Sequence, residues 1–219
     1  MSLRRLFLAV CLPIAACAKP EADSDAAATP ATPPAPFDLA RVDKARQMGS
    51  ETAPVWFIMG SDFQCPYCRN FHHDTWPRIY TEYVKTGKIR VAFMNHPMRF
   101  HARAVPAAEA AMCAGAQDRF WAMHDSLFVN QDKWVNAANP LPIFEQFAQG
   151  LKLDMDGWRN CLTSHSTRPT VEADFTKTEN VGITGTPGFI IGDSLAVSGA
   201  APYADFKREI DRALARAGR

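Results

Sequence analysis

The sequence has no apolar run that approaches the about 20 residues a transmembrane helix needs, and it has no internal repeat. Its charges almost cancel: 24 Lys and Arg against 23 Asp and Glu give a net charge of +1, which leaves no electrostatic case for a nucleic-acid partner. Six cysteines are too few for a disulfide scaffold of 219 residues. With 47% hydrophobic and 21% charged residues, the chain is typical of one globular domain, with or without an insertion.

The N-terminus is typical of a secretory signal peptide. Residues 1–16 begin with two arginines and continue into an apolar stretch that is too short to span a membrane. The small residues at its end resemble the lipobox of bacterial lipoproteins, and the resemblance implies that Cys17 is diacylated on sulfur and becomes the new N-terminus. Cleavage after Ala18 without a lipid is the alternative.

Residues 17–36 are rich in alanine and proline and have no apolar periodicity. We therefore predict a tether, which could reach about 60 Å if it were stretched as polyproline. The folded domain is predicted over residues 37–219.

Two cysteines follow an apolar segment of strand length, residues 55–59, after the short segment of residues 60–64. Cys65-Pro66-Tyr67-Cys68 stands where a helix is predicted to begin. The free N–H groups and the positive dipole end of a helix favour a thiolate at Cys65, and Pro66 suits the first helical position. Cys68 lies one turn later on the same face. We expect an exposed Cys65 of low pKa that exchanges disulfides and a more buried Cys68 that resolves them.

Two other interpretations of this motif are weaker. A zinc site could draw on His72 and His73, but structural zinc sites usually combine two close cysteine pairs, and these histidines are predicted to face solvent. A purely structural disulfide between Cys65 and Cys68 would remove little chain entropy, because its loop is so short.

A glycine-punctuated loop far downstream, residues 181–192, leads into a short apolar strand. It contains Thr186-Pro187-Gly188. An X–Pro bond such as Thr186–Pro187 can be cis, although a plain turn would also explain this segment on its own.

Taken together, these motifs resemble DsbA-like thiol–disulfide oxidoreductases. Residues 61–72, S-D-F-Q-C-P-Y-C-R-N-F-H, are similar to the active-site strand–helix of that family. Residues 182–192, G-I-T-G-T-P-G-F-I-I-G, are similar to its cis-proline loop. Residues 95–97 and 118–128 are similar to parts of its helical insertion, so the resemblance runs from about residue 42 to the C-terminus.

The resemblance implies an α/β, thioredoxin-like fold with a helical domain, about residues 100–180, inserted between the active-site half and the cis-proline half. It also implies that Pro187 is cis and lies against the Cys65–Cys68 disulfide, and that the backbone at Thr186 pairs with an incoming client strand. The predicted order is a strand, the active-site helix, a strand, the helical insertion, the proline loop, two short strands and a final helix.

Three residues depart from the family pattern. Met59 stands where many relatives have a buried glutamate that can relay a proton to the resolving thiol. Gly188 stands where a bulkier residue is common. Tyr67 stands where the strongest oxidants of the family have a histidine, which helps to stabilise the reduced thiolate. The dipeptide Pro66-Tyr67 therefore leaves open whether the protein oxidises or reduces its clients.

The remaining cysteines of the predicted domain are Cys113 and Cys161, each in a predicted helix. In an exported protein they are predicted to form a structural disulfide; two buried free thiols are the alternative. His96, His101 and His124 are excluded from the predicted site, because thiol–disulfide exchange needs no general base beyond the thiolate, and His124 is predicted to make a structural hydrogen bond.

The sequence therefore predicts a periplasmic or cell-envelope thiol–disulfide oxidoreductase, monomeric and membrane-bound only through its lipid. We expect an oxidase that acts on cysteine-containing client proteins and is reoxidised by a membrane redox partner, without a cofactor or metal. A disulfide isomerase or reductase, and a non-catalytic peptide-binding or chaperone module, are the alternatives.

Overall fold

The computed structural model describes residues 37–218, without the side chains of residues 195 and 196. The predicted signal peptide over residues 1–16, the lipid on Cys17 and the tether over residues 17–36 lie outside the described residues. None of the helices within residues 37–218 combines the length and the apolar character needed to cross a membrane.

Within that range the chain forms one five-stranded mixed sheet and ten α-helices. The strands are β1 (Gln47–Gly49), β2 (Val55–Ser61), β3 (Ile89–Asn95), β4 (Gly188–Ile191) and β5 (Ser194–Ser198). They lie side by side in the order β1-β3-β2-β4-β5, and only β2 and β3 are parallel. The sheet therefore places β2 at its centre, between the strand that follows the dithiol and the strand that follows the proline loop.

The helices fall into three groups. Before the sheet comes α1 (Leu39–Ala45); the active-site helix consists of α2 (Pro66–Asn70), a π-helical segment (Phe71–Thr75), α3 (Trp76–Ile79) and a second π-helical segment (Tyr80–Val84). Between β3 and β4 lie α4 (Ala104–Gly115), α5 (Phe120–Val129), α6 (Gln131–Trp134), α7 (Leu141–Gly150), α8 (Met155–Thr163) and α9 (Arg168–Asn180). The chain then ends in α10 (Tyr203–Ala217).

This order agrees with the predicted one, with additions at the start. Neither α1 nor β1 was predicted from the sequence. Strand β1 is only three residues long and pairs antiparallel with β3, at the sheet edge. So short a segment has no hydrophobic alternation of its own, and tertiary pairing decides its conformation.

Four phenylalanines hold the active-site helix against the sheet. Phe71 lies 4.5 Å from Phe189 of β4 and 5.2 Å from Phe206 of α10, between ring centroids. Phe57 of β2 lies 5.4 Å from Phe189. All four side chains are buried. Aromatic pairs at these distances add to the stabilisation from area burial, so the helix that carries the dithiol has a fixed position on the sheet.

A second aromatic group joins the inserted helices to the active-site turn. Phe63 stacks on Phe93 of β3 with 5.1 Å between centroids, and it lies 5.1 Å from Phe128 of α5. Helix α4 is buried along most of its length, since small alanines let the neighbouring helices approach closely. The insertion therefore packs directly beside the site.

Cys113 of α4 and Cys161 of α8 are joined by a disulfide. The bridge spans 48 positions of the sequence, a loop for which the chain-entropy model gives about 4 kcal/mol of stabilisation.

Replacing both residues, as Cys113→Ala/Cys161→Ala, should lower the free energy of unfolding by about 2 to 4 kcal/mol, because the unfolded chain regains the freedom of that loop. Urea unfolding followed by circular dichroism measures this. Cys65→Ala/Cys68→Ala, compared with the parent in which Cys65 and Cys68 form a disulfide, is the matched control. It should lose less stability, because it opens a far shorter loop. Equal stability of the alanine pair and the parent would contradict the prediction.

Candidate active site

The dithiol lies at the junction between β2 and α2. Cys65 is the N-cap residue of α2 and Pro66 is its first helical residue, where a missing N–H leaves no hydrogen bond unmade. The turn between strand and helix is closed by the Cys65 N–H, which donates to the Asp62 carbonyl oxygen at 3.1 Å. Both Cys65 and Cys68 are present as thiols.

The prediction of an exposed Cys65 is wrong. Only 4% of Cys65 is accessible, against 1% of Cys68, whereas the intervening Tyr67 is 63% exposed. The proline loop causes this burial: the Cys65 thiol donates a hydrogen bond to the Thr186 carbonyl oxygen at 3.4 Å. The tertiary contact with a loop some 120 residues away was not visible in the local sequence.

The two sulfurs are in opposite electrostatic situations. A hydrogen bond from the Cys68 thiol is the largest influence that lowers the pKa of Cys65, to about 6, against the opposing effect of burial. The Thr186 side chain and the backbone N–H groups of Cys68 and Tyr67 lower this pKa further. Burial, followed by the interaction with Cys65, raises the pKa of Cys68 well above its usual range. The pair can therefore hold one thiolate, on Cys65, and one proton, on Cys68.

The peptide bond between Thr186 and Pro187 is cis, and both residues stand immediately before β4. Since β4 pairs with β2, this loop is brought against the beginning of α2. The structure thus brings together all six residues predicted for catalysis and substrate binding: Cys65, Pro66, Tyr67, Cys68, Thr186 and Pro187. Cys113 and Cys161 lie in the inserted helices instead.

Gly188 has a local explanation. A Cβ atom at this position would come within 2.6 Å of the Ile183 side chain and 3.2 Å of the Gly185 carbonyl oxygen. A bulkier residue after the proline is therefore excluded unless Ile183 moves.

Two polar side chains near the dithiol were not predicted. Gln131 of α6 is buried and donates hydrogen bonds to the carbonyl oxygens of Phe63, at 2.7 Å, and Cys65, at 3.1 Å. The Asp62 carboxylate accepts from the N–H groups of Gln64 and Met98 at 2.7 and 2.8 Å, and pairs with His101 at 2.6 Å. A polar residue just before the cysteines was a possible signal for Asp62, but no local pattern could have indicated Gln131.

Asp62 also touches the resolving cysteine. Its backbone N–H lies 3.5 Å from the Cys68 sulfur. Burial is the largest influence on the carboxyl group and raises the pKa of Asp62, although the hydrogen bonds around it act in the opposite direction.

The prediction that His72 faces solvent is wrong, whereas His73 is exposed. The His72 side chain is 12% exposed, and its Nε2 lies 3.0 Å from Asp125 Oδ1. Nδ1 of His124, which is buried, lies 2.9 Å from the same oxygen. His96 pairs instead with Thr178, with 2.7 Å between Nδ1 and Oγ1.

Within residues 37–218, His72, His124 and Asp125 form the one group of side chains whose potential metal-binding atoms all lie within 4.8 Å of one another. Both histidines already share Asp125 Oδ1 through hydrogen bonds. Their arrangement is that of a carboxylate that orients two imidazoles.

We expect alkylation of the reduced protein by iodoacetamide to follow the Cys65 thiolate. The rate should have its midpoint near pH 6 and fall below that pH, because protonation removes the nucleophile. Cys68→Ala removes the hydrogen-bond donor and should raise the midpoint by about one pH unit. Cys65→Ser, which removes the reactive sulfur, is the control. A wild-type midpoint near 9, the ordinary value for this group, would contradict the assignment.

Comparison with known proteins relates this site to a family. A protein-family model described as Thioredoxin matches residues 41–212. A probable disulfide bond formation protein D from Bacillus cereus is 26% identical over 174 residues, which cover 77% of this chain and 78% of that protein.

Solved structures are similar over the same region. Oxidised BdbD from Bacillus subtilis has a TM-score of 0.70 and 24% identity, covering 78% of this chain and 94% of that one. Alpha-DsbA1 from Wolbachia pipientis has a TM-score of 0.68 and 24% identity, covering 78% and 92%. These similarities confirm the predicted α/β, thioredoxin-like fold with its inserted helices.

The family model spans most of the chain, and the dithiol at the start of α2 faces a cis-proline loop. The chain therefore belongs to the thioredoxin family, as a DsbA-like thiol–disulfide oxidoreductase.

Proposed function

We propose that this oxidoreductase works as an oxidase, which introduces disulfide bonds into exported client proteins. The observation that supports this direction is the low pKa of Cys65, about 6, set mainly by the hydrogen bond from Cys68. A stabilised thiolate makes the reduced dithiol the favoured form, and a dithiol that prefers to be reduced oxidises its partners.

In the proposed reaction, a client thiolate attacks the Cys65 sulfur of the oxidised dithiol. The Cys65–Cys68 bond breaks, Cys68 leaves as a thiolate and takes up a proton, and a mixed disulfide joins Cys65 to the client. A second client thiolate then attacks the client sulfur of that bond. Cys65 leaves as its stable thiolate, so the client has lost two electrons to the dithiol.

Client binding is proposed at the surface around Tyr67 and the Thr186–Pro187 loop. Tyr67 is exposed beside the buried Cys65, where it can contact a bound chain. The Thr186 backbone borders the sulfur, so an extended client segment that paired with it would lie alongside Cys65. A disulfide-bearing redox partner in the membrane would then reoxidise the dithiol.

The reduction potential of the Cys65–Cys68 pair tests the direction. We expect a value well above the about −270 mV of a reducing thioredoxin, measured by equilibration with glutathione. Because Cys65 ionises near pH 6, the reduction potential should decrease as the pH rises. The slope should be about 59 mV per pH unit below pH 6, where reduction takes up two protons, and about 30 mV per pH unit above it, where reduction takes up one. The thiolate stabilises the reduced form in full above the ordinary pKa of a cysteine thiol, 9.0, and this stabilisation disappears as the pH falls through about 6. A value near that of thioredoxin would exclude the oxidase.

Two serine variants test the reaction path on a reduced, unfolded client with two cysteines. Cys65→Ser should abolish client oxidation, because the sulfur that is attacked has gone. Cys68→Ser, after activation of Cys65 as a mixed disulfide with glutathione, should accumulate a covalent complex with a client variant that keeps only one cysteine, because no second client thiol can release it. The complex is visible on a non-reducing gel. A Cys65→Ser protein that kept full activity on clients would favour the non-catalytic peptide-binding alternative.

We further propose that Cys17 carries a lipid that anchors the domain to a membrane of the cell envelope, with residues 17–36 as the tether. Cys17→Ser should release the protein into the soluble fraction while the reduction potential stays unchanged. Membrane fractionation of cells that express both forms measures this. A wild-type protein found wholly in the soluble fraction would favour the alternative, cleavage after Ala18.

A further inference from the structure

The resolving cysteine has a proton to move and is almost wholly buried. Cys68 is 1% exposed and lines a narrow crevice beneath the active-site helix. The other lining residues are Met59, Ser61, Phe71, His72, Trp76, His124 and Phe128. Met59 carries no acidic or basic group. Among residues 37–218, the titratable groups in the crevice besides the thiol are therefore the two imidazoles.

The hydrogen bonds of Asp125 determine which imidazole nitrogens carry protons. Burial opposes the charge of Asp125, but hydrogen bonds from His124 and His72 outweigh it and hold the pKa of Asp125 well below its usual range. The carboxylate is therefore ionised and accepts from both rings. The acceptor role of Asp125 places a proton on Nε2 of His72, 3.0 Å away, and leaves Nδ1 of a neutral His72 with a free lone pair.

His72 Nδ1 is the unused atom of this arrangement. It is buried and makes no hydrogen bond within the described structure. Buried nitrogens are normally paired, so an unpaired one on a residue that lines the same crevice as Cys68 calls for a functional explanation. His72 follows Cys68 by four residues on the active-site helix, which places the two side chains on one face. The π-helical segment that contains His72 begins at Phe71, and such segments are frequent at functional sites.

We propose that His72 exchanges a proton with Cys68 through Nδ1, and that Asp125 is the positioning residue that orients the ring. The proposal deepens the proposed function and rests on the exchange chemistry of Cys65 and Cys68. When the dithiol is reoxidised, Nδ1 takes the Cys68 proton as the Cys68 sulfur attacks the mixed disulfide at Cys65. The Cys65–Cys68 bond forms, the partner sulfur leaves as a thiolate, and the imidazolium is held against Asp125. In client oxidation the same proton returns to the departing Cys68 thiolate.

Other charged and titratable groups surround this pair. On the turn and the active-site helix these are Cys65, Asp62 and His73; α5 contributes His124 and Asp125. The Asp62 carboxylate is engaged by Gln64, Met98 and His101, and only its backbone N–H reaches the Cys68 sulfur. Burial is the main cause that lowers the pKa of His124, which favours the neutral form of that ring.

The two thiols can be followed separately with dithiobis(nitrobenzoate) in a stopped-flow instrument. Attack by Cys65 releases the first coloured nitrothiobenzoate, and attack by Cys68 on the resulting mixed disulfide releases the second. His72→Gln should leave the first release unchanged and slow the second by about a hundredfold. The rate of the second release should rise tenfold per pH unit in the variant, whereas in the wild type it should depend less steeply on pH.

His73→Gln, an exposed histidine beside His72, is the matched control and should behave as the wild type in both releases. Met59→Glu in the His72→Gln background puts a carboxylate into the same crevice and should restore part of the second rate. If His72→Gln does not fold, Asp125→Asn replaces it and should slow the second release by about tenfold or more. A His72→Gln protein whose second release matches His73→Gln in rate and pH dependence overturns the proposal. The oxidase direction is tested independently, because the reduction potential of the wild type does not depend on this rate.

Discussion

The hydrogen bond between the Cys68 thiol and the Cys65 sulfur links every other property of the site. It gives the two cysteines different protonation states, although they lie one turn apart on the same helix. The donor must keep its proton for this to work, and deep burial ensures that it does. The same burial then makes the proton hard to remove when Cys68 has to react, so a thiolate that is easy to form on Cys65 entails a proton-transfer problem at Cys68.

The sheet and its aromatic contacts keep this arrangement in place. Strand β2 delivers the turn that carries the dithiol, and β4, its antiparallel neighbour, begins with the residue after Pro187. Phe71, Phe189 and Phe206 pack the helix onto that sheet. The close approach of Ile183 to Gly188 lets the loop lie against the dithiol. Geometry that depends on packing over three elements resists small displacements better than geometry set within a single loop.

The inserted helices contribute to the chemistry as well as to the fold. Helix α6 supplies Gln131, whose side-chain amide donates hydrogen bonds to the carbonyl oxygens of Phe63 and Cys65. Helix α5 supplies Asp125 and His124, which surround the imidazole one turn beyond Cys68. A domain that local sequence describes only as a set of packed helices thus provides His124, a titratable group that lines the same crevice as the resolving cysteine. Met59 of β2 cannot act as an acid or base, and under the proposal above His72, oriented by Asp125 of α5, takes that role instead.

The sequence by itself determined the chemistry that depends on local spacing. Cys65 and Cys68 stand one helical turn apart after a strand, Pro66 begins the helix, and the sequence around Thr186-Pro187 matches a known loop, so the fold and the dithiol could be predicted. Only the tertiary structure decided what depends on contacts between distant segments. These contacts are the burial of Cys65 under the proline loop, the hydrogen bonds from Gln131 to the active-site turn, and the pairing of His72 with Asp125. Helical periodicity says which residues share a face, but not what covers that face. His72 looks the same in the sequence whether solvent or an aspartate of a distant helix lies beside it.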